Sequence, residues 1–178
     1  LTIFEMKQAF SLGKTIFDLP LNVSFYARVS TEKEEQINSL ENQVTFFEEY
    51  IKQNKNWNFI KGYIDEGISG TTSAKRENFM KMIEEGKQKR FDLLITKEVS
   101  RFSRDTIDSL VYTRKLLEYD VCVYFLSDNI ITASSDGELR LTIISSMAQD
   151  EVRKISERTK FGFKRAVEKG TVLGSNNI

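Results

Sequence analysis

The sequence predicts an α/β fold: a mostly parallel central sheet flanked by helices, with a long helix at the C-terminal end. Three observations carry this. Strand-like apolar runs alternate with helix-period segments at roughly 30-residue spacing from Leu21 onward, as in consecutive βαβ units. The chain has 178 residues, 40% of them hydrophobic, enough for one globular domain with a sizeable core. From Asp136 to Lys169 no proline interrupts an apolar pattern of helical period.

Residues 1–19 read as a short amphipathic helix with Ile3, Phe4, Met6, Phe10 and Leu12 apolar, closed near Gly13 and by Pro20, so residues 1–20 form an appended helical segment. The regular pattern begins with a strand at Val23–Val29. A helix at Ile37–Gln53 follows, with Leu40, Val44, Phe47 and Ile51 on one face. Next come a strand at Trp57–Ile64 and a loop at Asp65–Ala74 holding Gly67, Gly70 and a Ser/Thr cluster. A helix at about Glu77–Gln88, a strand at Phe91–Thr96, a polar loop, a helix at Thr106–Tyr119 and a strand at Val121–Leu126 complete the alternation. The last helix carries Leu141, Ile144, Ala148, Val152 and Ile155 at helical spacing. At 1.5 Å per residue it extends on the order of 50 Å, longer than a domain of this size needs, which suggests a projecting helix with self-association along its apolar first half and polyanion contact along its basic second half; a long helix packed on the sheet with a frayed end is the alternative. These elements divide into 21–135, 136–170 and a tail, 171–178.

Composition excludes several mechanisms. There is no histidine, hence no Ser-His-Asp or Cys-His nucleophile system and no histidine metal ligand. The single cysteine, Cys122, rules out an internal disulfide and reads as a small apolar strand residue, consistent with a reducing cytoplasm. No apolar run approaches the roughly 18 residues of a membrane span, and the N-terminus lacks a secretory-signal pattern. The 26 cationic and 26 acidic residues cancel overall but are unevenly placed. Residues 31–50 carry one lysine against six glutamates, whereas residues 151–170 carry seven cations against three glutamates. A basic face for a polyanion and two ordinary solvated helix faces fit this gradient equally well.

Chemistry concentrates in three clusters. In Val23–Ser30 the period of two puts Ser24, Tyr26, Arg28 and Ser30 on one face, at the carboxyl end of a strand, where open parallel sheets bind ligands. An arginine in a strand buried on two sides requires an anion to meet it. Ser30 reads either as an N-cap, the usual role of a serine at a strand end, or as a functional hydroxyl beside Arg28. The run Ser100-Arg101-Phe102-Ser103-Arg104-Asp105, after another strand end, holds two arginines at i, i+3. They form a guanidinium pair suited to phosphate oxygens, or alternatively salt-bridge Asp105 or Asp108. The loop Ser69–Arg76 combines glycines with cations and serves either as an anion-contacting loop or as a plain connector. A serine among Arg28, Arg76, Arg101 and Arg104 suits attack on a phosphodiester, because guanidinium groups stabilise charge accumulating on the non-bridging oxygens.

Five short motifs, in order, resemble the serine recombinases of the resolvase/invertase superfamily. They are Tyr26-Ala27-Arg28-Val29-Ser30-Thr31, Ser39-Leu40-Glu41-Asn42-Gln43, Gly67-Ile68-Ser69-Gly70, Ser100–Asp105, and Ala148-Gln149-Asp150-Glu151 with Ile155-Ser156-Glu157-Arg158. The resemblance covers about residues 21–170. Its loop spacing and Ser-Arg-Phe-Ser-Arg-Asp form are closer to the large integrase and transposase branch. It implies a resolvase-like catalytic domain in which Ser30 attacks a DNA phosphate to give a 5′-phosphoserine. It further implies that Arg28, Arg101 and Arg104 bind the scissile phosphate, that Arg76 is the arginine following the Ser-Gly loop, and that Gln43 supports the site. The implied partners are double-stranded DNA and further copies of the chain, from dimer to synaptic tetramer, through the long helix around Glu151. Neither a metal nor ATP is implied, nor any other cofactor.

Two departures qualify this. Many small resolvases have Asp immediately before the first arginine of the pair, where this chain has Ser100, so the general acid is unassigned. Residues 171–178 are too few for a DNA-binding domain, which leads to the expectation of a catalytic fragment whose site-recognition region is absent. Two further readings stay open: a non-catalytic DNA-associated regulator or assembly module with the same fold, and a nucleotide-binding domain, against which stands the lack of a glycine-rich fingerprint.

Overall fold

In the protein's structure, a computed structural model, residues 1–30, 35–67, 76–102 and 106–168 are described. The side chains of residues 29–30, 35–40, 66–67, 101, 106–107, 148 and 152 are outside that description. Five strands form one sheet in the order β2-β1-β3-β4-β5: β1 (Leu21–Ser30), β2 (Trp57–Gly67), β3 (Leu93–Thr96), β4 (Cys122–Phe125) and β5 (Ile130–Ile131). The first four are parallel and β5 is antiparallel to β4, as the predicted mostly parallel sheet requires. The helices are α1 (Ile3–Ser11), α2 (Glu35–Lys52), α3 (Glu77–Lys87), α4 (Val99–Phe102), α5 (Thr106–Glu118) and α6 (Ser135–Glu168).

Four elements depart from the sequence reading. The single helix read over residues 1–19 is shorter: α1 stops at Ser11, where Gly13 takes a positive φ of 84°, and a 3-10 turn follows at Ile16–Asp18. β2 continues three residues beyond Ile64, so Asp65 belongs to a strand rather than a loop. The polar loop after β3 contains the one-turn helix α4, and β5 is too short to leave a periodic signal.

Two apolar layers flank the sheet. On one face α2 buries Phe47 and Ile51 against Val23, Phe25 and Ala27 of β1. The appended N-terminal segment covers the remainder of that face through Met6, Ile16 and Leu19, beside Leu93, Ile95, Cys122 and Tyr124. Although appended in sequence, this segment is integral to the core. Trp57 donates its indole N–H to the Ile16 carbonyl, and Phe17 stacks on Trp57 at 5.3 Å. The other face is covered by Phe79, Met82 and Ile83 of α3, Phe102 of α4, Leu116 of α5 and Leu141 of α6.

β1 is buried on both faces from Val23 to Ala27, as expected of a central parallel strand. Its pairing with β2 has a bulge: Val23 lies opposite Phe59 but Phe25 lies opposite Gly62, so β2 carries one extra residue there. Side-chain parity inverts across it. Trp57 and Phe59 face α2, whereas Tyr63 and Asp65 face the opposite layer. Gly62 sits against the flat Phe25 ring, which is sandwiched between Phe47 and Phe59 at 5.0 and 6.0 Å, and a Cβ at Gly62 would enter that ring. Gly62→Ala is therefore expected to destabilise the fold by about 1–3 kcal/mol through overpacking, read as a lower urea midpoint at unchanged m-value.

α6 runs 34 residues, about 50 Å. Its first turns pack through Leu141 and Ser145, each 2% exposed. From Ser146 to Glu168 every described side chain is exposed except the half-buried Ala166, so the expected projection is present. Among the described residues no helix is long and apolar enough to cross a membrane.

Candidate active site at the carboxyl edge of the sheet

β1 delivers Tyr26, Arg28 and Ser30 to the carboxyl edge; β2 brings Asp65 there, and β3 leads directly into α4. The register places Arg28 opposite Asp65 and Ser30 opposite Gly67. All three strands thus end at one place, where open parallel sheets bind ligands.

At its centre is a charged, hydrogen-bonded network. Arg76, at the start of α3, donates through Nη2 to the Tyr26 phenolic oxygen at 2.7 Å and to the Phe102 carbonyl at 2.5 Å. The Tyr26 hydroxyl in turn donates to Asp65 Oδ2 at 3.2 Å. Asp65, 8% exposed, also accepts from the backbone N–H groups of Asn78 and Phe79 at 3.1 and 3.0 Å, so a strand carboxylate caps the N-terminus of α3. Burial pushes the Tyr26 phenol up to about 12, with Arg76 opposing the shift and Asp65 adding to it; the phenol keeps its proton and its role as donor.

Aromatic packing holds this network rigid. The Arg76 guanidinium lies 4.3 Å from the centre of the Phe79 ring and 5.5 Å from that of Tyr26. Phe102, fully buried, meets Phe79, Phe125 and Tyr26 edge-on at 5.2, 5.5 and 6.2 Å. Phe102 thus anchors α4, and Arg101 precedes it in sequence.

The six site residues read from the sequence fare differently. Arg28 is exposed rather than enclosed between layers: burial ends at Ala27, and the strand end emerges into solvent. The expected cost of a buried arginine is therefore not incurred. Arg76 is placed as above. Gln43 is half-buried on α2, the helix following the Ser30 end of β1. Ser30 closes β1 and Arg101 lies in α4 by backbone, but both side chains, and all of Arg104, fall outside the described residues, as does the loop from Ser69 to Lys75. Ser100 is exposed on α4.

Sequence reasoning assigned no role to Tyr26 or Asp65. Tyr26 shares the strand face of Arg28 and Ser30, which was a usable signal. Asp65 had none while it stood in a loop, because only the bulge in β2 turns it toward Tyr26. A mostly apolar cleft of about 480 Å³ between the N-terminal segment and the β5–α6 joint, lined by Phe10, Ile16, Ile131 and Ala133 among others, involves none of these residues.

Residues 23–172 match the family model described as Resolvase, N terminal domain. The chain is 32% identical over 155 residues to the R46 site-specific recombinase of Escherichia coli, covering 86% of this chain and 74% of that protein. A resolvase family site-specific recombinase from Streptococcus pneumoniae superposes with a TM-score of 0.66 at 27% identity, over 83% of this chain and 99% of that structure. The N-terminal catalytic domain of TP901-1 integrase superposes at 0.51 and 27% identity, over 74% and 97%.

Proposed function

The chain belongs to the resolvase N-terminal domain family, and from that membership we propose how its site cuts and rejoins DNA. It is the catalytic domain of a serine-type site-specific DNA recombinase. The Ser30 hydroxyl oxygen attacks a backbone phosphorus. The bond from phosphorus to the 3′ oxygen breaks as the bond to the serine oxygen forms; the serine gives up its hydroxyl proton, the 3′ oxygen takes up one proton and departs as a hydroxyl, and the 5′ phosphate stays on the serine as a 5′-phosphoserine. Attack by a 3′-hydroxyl on that phosphoserine reverses the step, so the bond energy is conserved and no nucleotide triphosphate is needed. Arg28, Arg101 and Arg104 neutralise the non-bridging oxygens as the attacking and leaving oxygens come into line. Arg76 holds the α4 turn to Tyr26, and Gln43 supports the site from α2.

The observation that carries this reading is convergence. The strand ending in Arg28 and Ser30 and the neighbouring strand leading to Arg101 are tied by one guanidinium, that of Arg76, which bonds both Tyr26 and the Phe102 carbonyl. With a nicked recombination site that traps the cut state, the intact recombinase is expected to form a denaturant-resistant adduct on the 5′ end. The released 3′-hydroxyl should be extendable by a polymerase, and both products should form in excess chelator without nucleotide triphosphate. A 3′-linked adduct, or cleavage with no adduct, overturns the mechanism.

Residues 21–135 act as the cutting unit and residues 136–170 as the assembly helix. α6 presents Ile144, Met147, Glu151 and Ile155 on one stripe, with Met147 68% and Ile155 56% exposed. Asp150, Glu151, Lys154 and Arg158 border the same groove. A stripe bearing both signs of charge is complementary to itself, so a second copy of the chain is the occupant that pairs its charges and covers its apolar side chains.

A further inference from the structure

α4 is too short to hold itself. A four-residue helix closes at most one turn, and helix nucleation is unfavourable, so its position comes from outside. Its carboxyl end is held by Arg76 at the Phe102 carbonyl and by the buried Phe102 ring. Its amino end is held from the β4–β5 turn. There Asp128 accepts the Val99 N–H through Oδ2 at 2.7 Å, and the Val99 carbonyl accepts the Ser109 hydroxyl of α5 at 2.9 Å.

The turn that carries Asp128 is itself docked on the segment leading into α4. Leu126 N–H donates to the Thr96 carbonyl at 3.0 Å and Ser127 N–H to the Lys97 carbonyl at 2.8 Å, so the β3–β4 ladder continues past the strands up to the Asp128 contact. Asn129, at a positive φ of 51°, closes the turn, with its N–H on the Leu126 carbonyl at 3.3 Å. These contacts direct the half-buried Asp128 carboxylate at the first N–H of α4. β5 leaves the same turn and runs into α6 at Ser135, which puts Asp128 between the arginine turn and the assembly helix.

We propose that Asp128 is a positioning residue for strand cleavage: by capping α4 from the β4–β5 turn it fixes where Arg101 stands relative to the Ser30 end of β1. This rests on the arginine-assisted cleavage proposed above. Asp128 touches no DNA in this role and acts through the α4 backbone. A misplacement of about 1 Å in a reacting constellation costs up to about 100-fold in rate.

The test measures single-turnover cleavage by the intact recombinase at saturating protein, beside site binding and melting temperature. Asp128→Ala is expected to cut about 10- to 100-fold more slowly with unchanged site affinity. Asp128→Asn, whose amide oxygen still accepts the Val99 N–H, is expected to recover to within about threefold of wild type. Thr2→Ala, which removes the side-chain cap of α1 at Glu5, serves as the control and is expected to cut at the wild-type rate. Wild-type cleavage by Asp128→Ala overturns the proposal, as does an Asn variant as slow as the Ala variant, since charge rather than placement would then be responsible. If Asp128→Ala fails to fold, Asp128→Glu decides: its displaced carboxylate is expected to slow cleavage at least about tenfold, and a wild-type rate there overturns the proposal equally. Ser30→Ala run in parallel separates the two readings. An undiminished adduct in that variant overturns the mechanism, whereas a lost adduct there with wild-type cleavage by Asp128→Ala overturns the positioning role alone.

Discussion

In the intact recombinase, Ser30→Ala is expected to abolish the covalent protein–DNA adduct while leaving recognition of the site intact, the largest effect of any single substitution. The adduct is a bond to the serine oxygen, and alanine offers no atom to replace it. Neither a histidine nor the Tyr26 phenol substitutes. No histidine exists anywhere in the chain, and the Tyr26 phenol, pushed up to about 12 by burial, keeps its proton and points it at Asp65. Enzymes stripped of a nucleophile lose on the order of 10⁶-fold in turnover, which would place any remaining cleavage below detection. Site binding rests on phosphate and base contacts that the substitution leaves alone, so the electrophoretic shift is expected to match wild type. An adduct at wild-type level in this variant removes Ser30 from the mechanism.

Arg76→Ala is expected to have the second largest effect. This one side chain ties Tyr26 of β1 to the Phe102 carbonyl of α4 and lies over the Phe79 ring. Its loss removes two charge-assisted hydrogen bonds and the cation bonded to Tyr26, and frees the carbonyl of the turn that carries Arg101. Loss of a single preorganised donor in an active site typically costs 10²–10³ in rate, and cleavage by Arg76→Ala is expected to fall by about that factor. Stability is expected to fall by about 1.5–3 kcal/mol, the range for hydrogen bonds to charged groups. Arg76→Lys separates charge from shape. It retains a cation but loses the planar group that packs over Phe79, and should recover less than about a tenth of the wild-type rate if geometry is what matters. Cleavage by Arg76→Ala within tenfold of wild type, in a folded protein, would show the clamp to be structural only.

Much of the fold was legible because the signals involved are local. The apolar spacing of Val44, Phe47 and Ile51 specifies a helix face wherever the helix later packs, and α2, α3, α5 and α6 lie within a few residues of their predicted ranges. The period-two placement of Tyr26, Arg28 and Ser30 was likewise readable, as was the convergence of two arginine-bearing segments at strand ends. The missed elements are those whose local signal is weak. α4 has four residues and β5 two, and both exist because neighbours hold them: Asp128, Ser109 and Arg76 for α4, and Tyr124 and Phe125, paired with Ile131 and Ile130, for β5. The exposure of Arg28 was misjudged because residue type gives no measure of where the covering layers stop.

Chain chemistry alone therefore determined which groups the proposed mechanism draws on: a serine, a set of arginines, no histidine, and a long helix with a mixed-charge stripe. Tertiary structure decided how those groups are held. One extra residue in β2 inverts the side-chain parity of the strand and turns Asp65 toward Tyr26, and nothing in the alternation of Trp57–Asp65 announces it. Register across a sheet is set by pairing with a strand far away in sequence, as is the capping of α4 by Asp128, 29 residues from Val99. The N-terminal segment makes the same point: its amphipathic pattern predicted a helix, but only the sheet face left uncovered by α2 gave Met6, Ile16 and Leu19 a place to be buried.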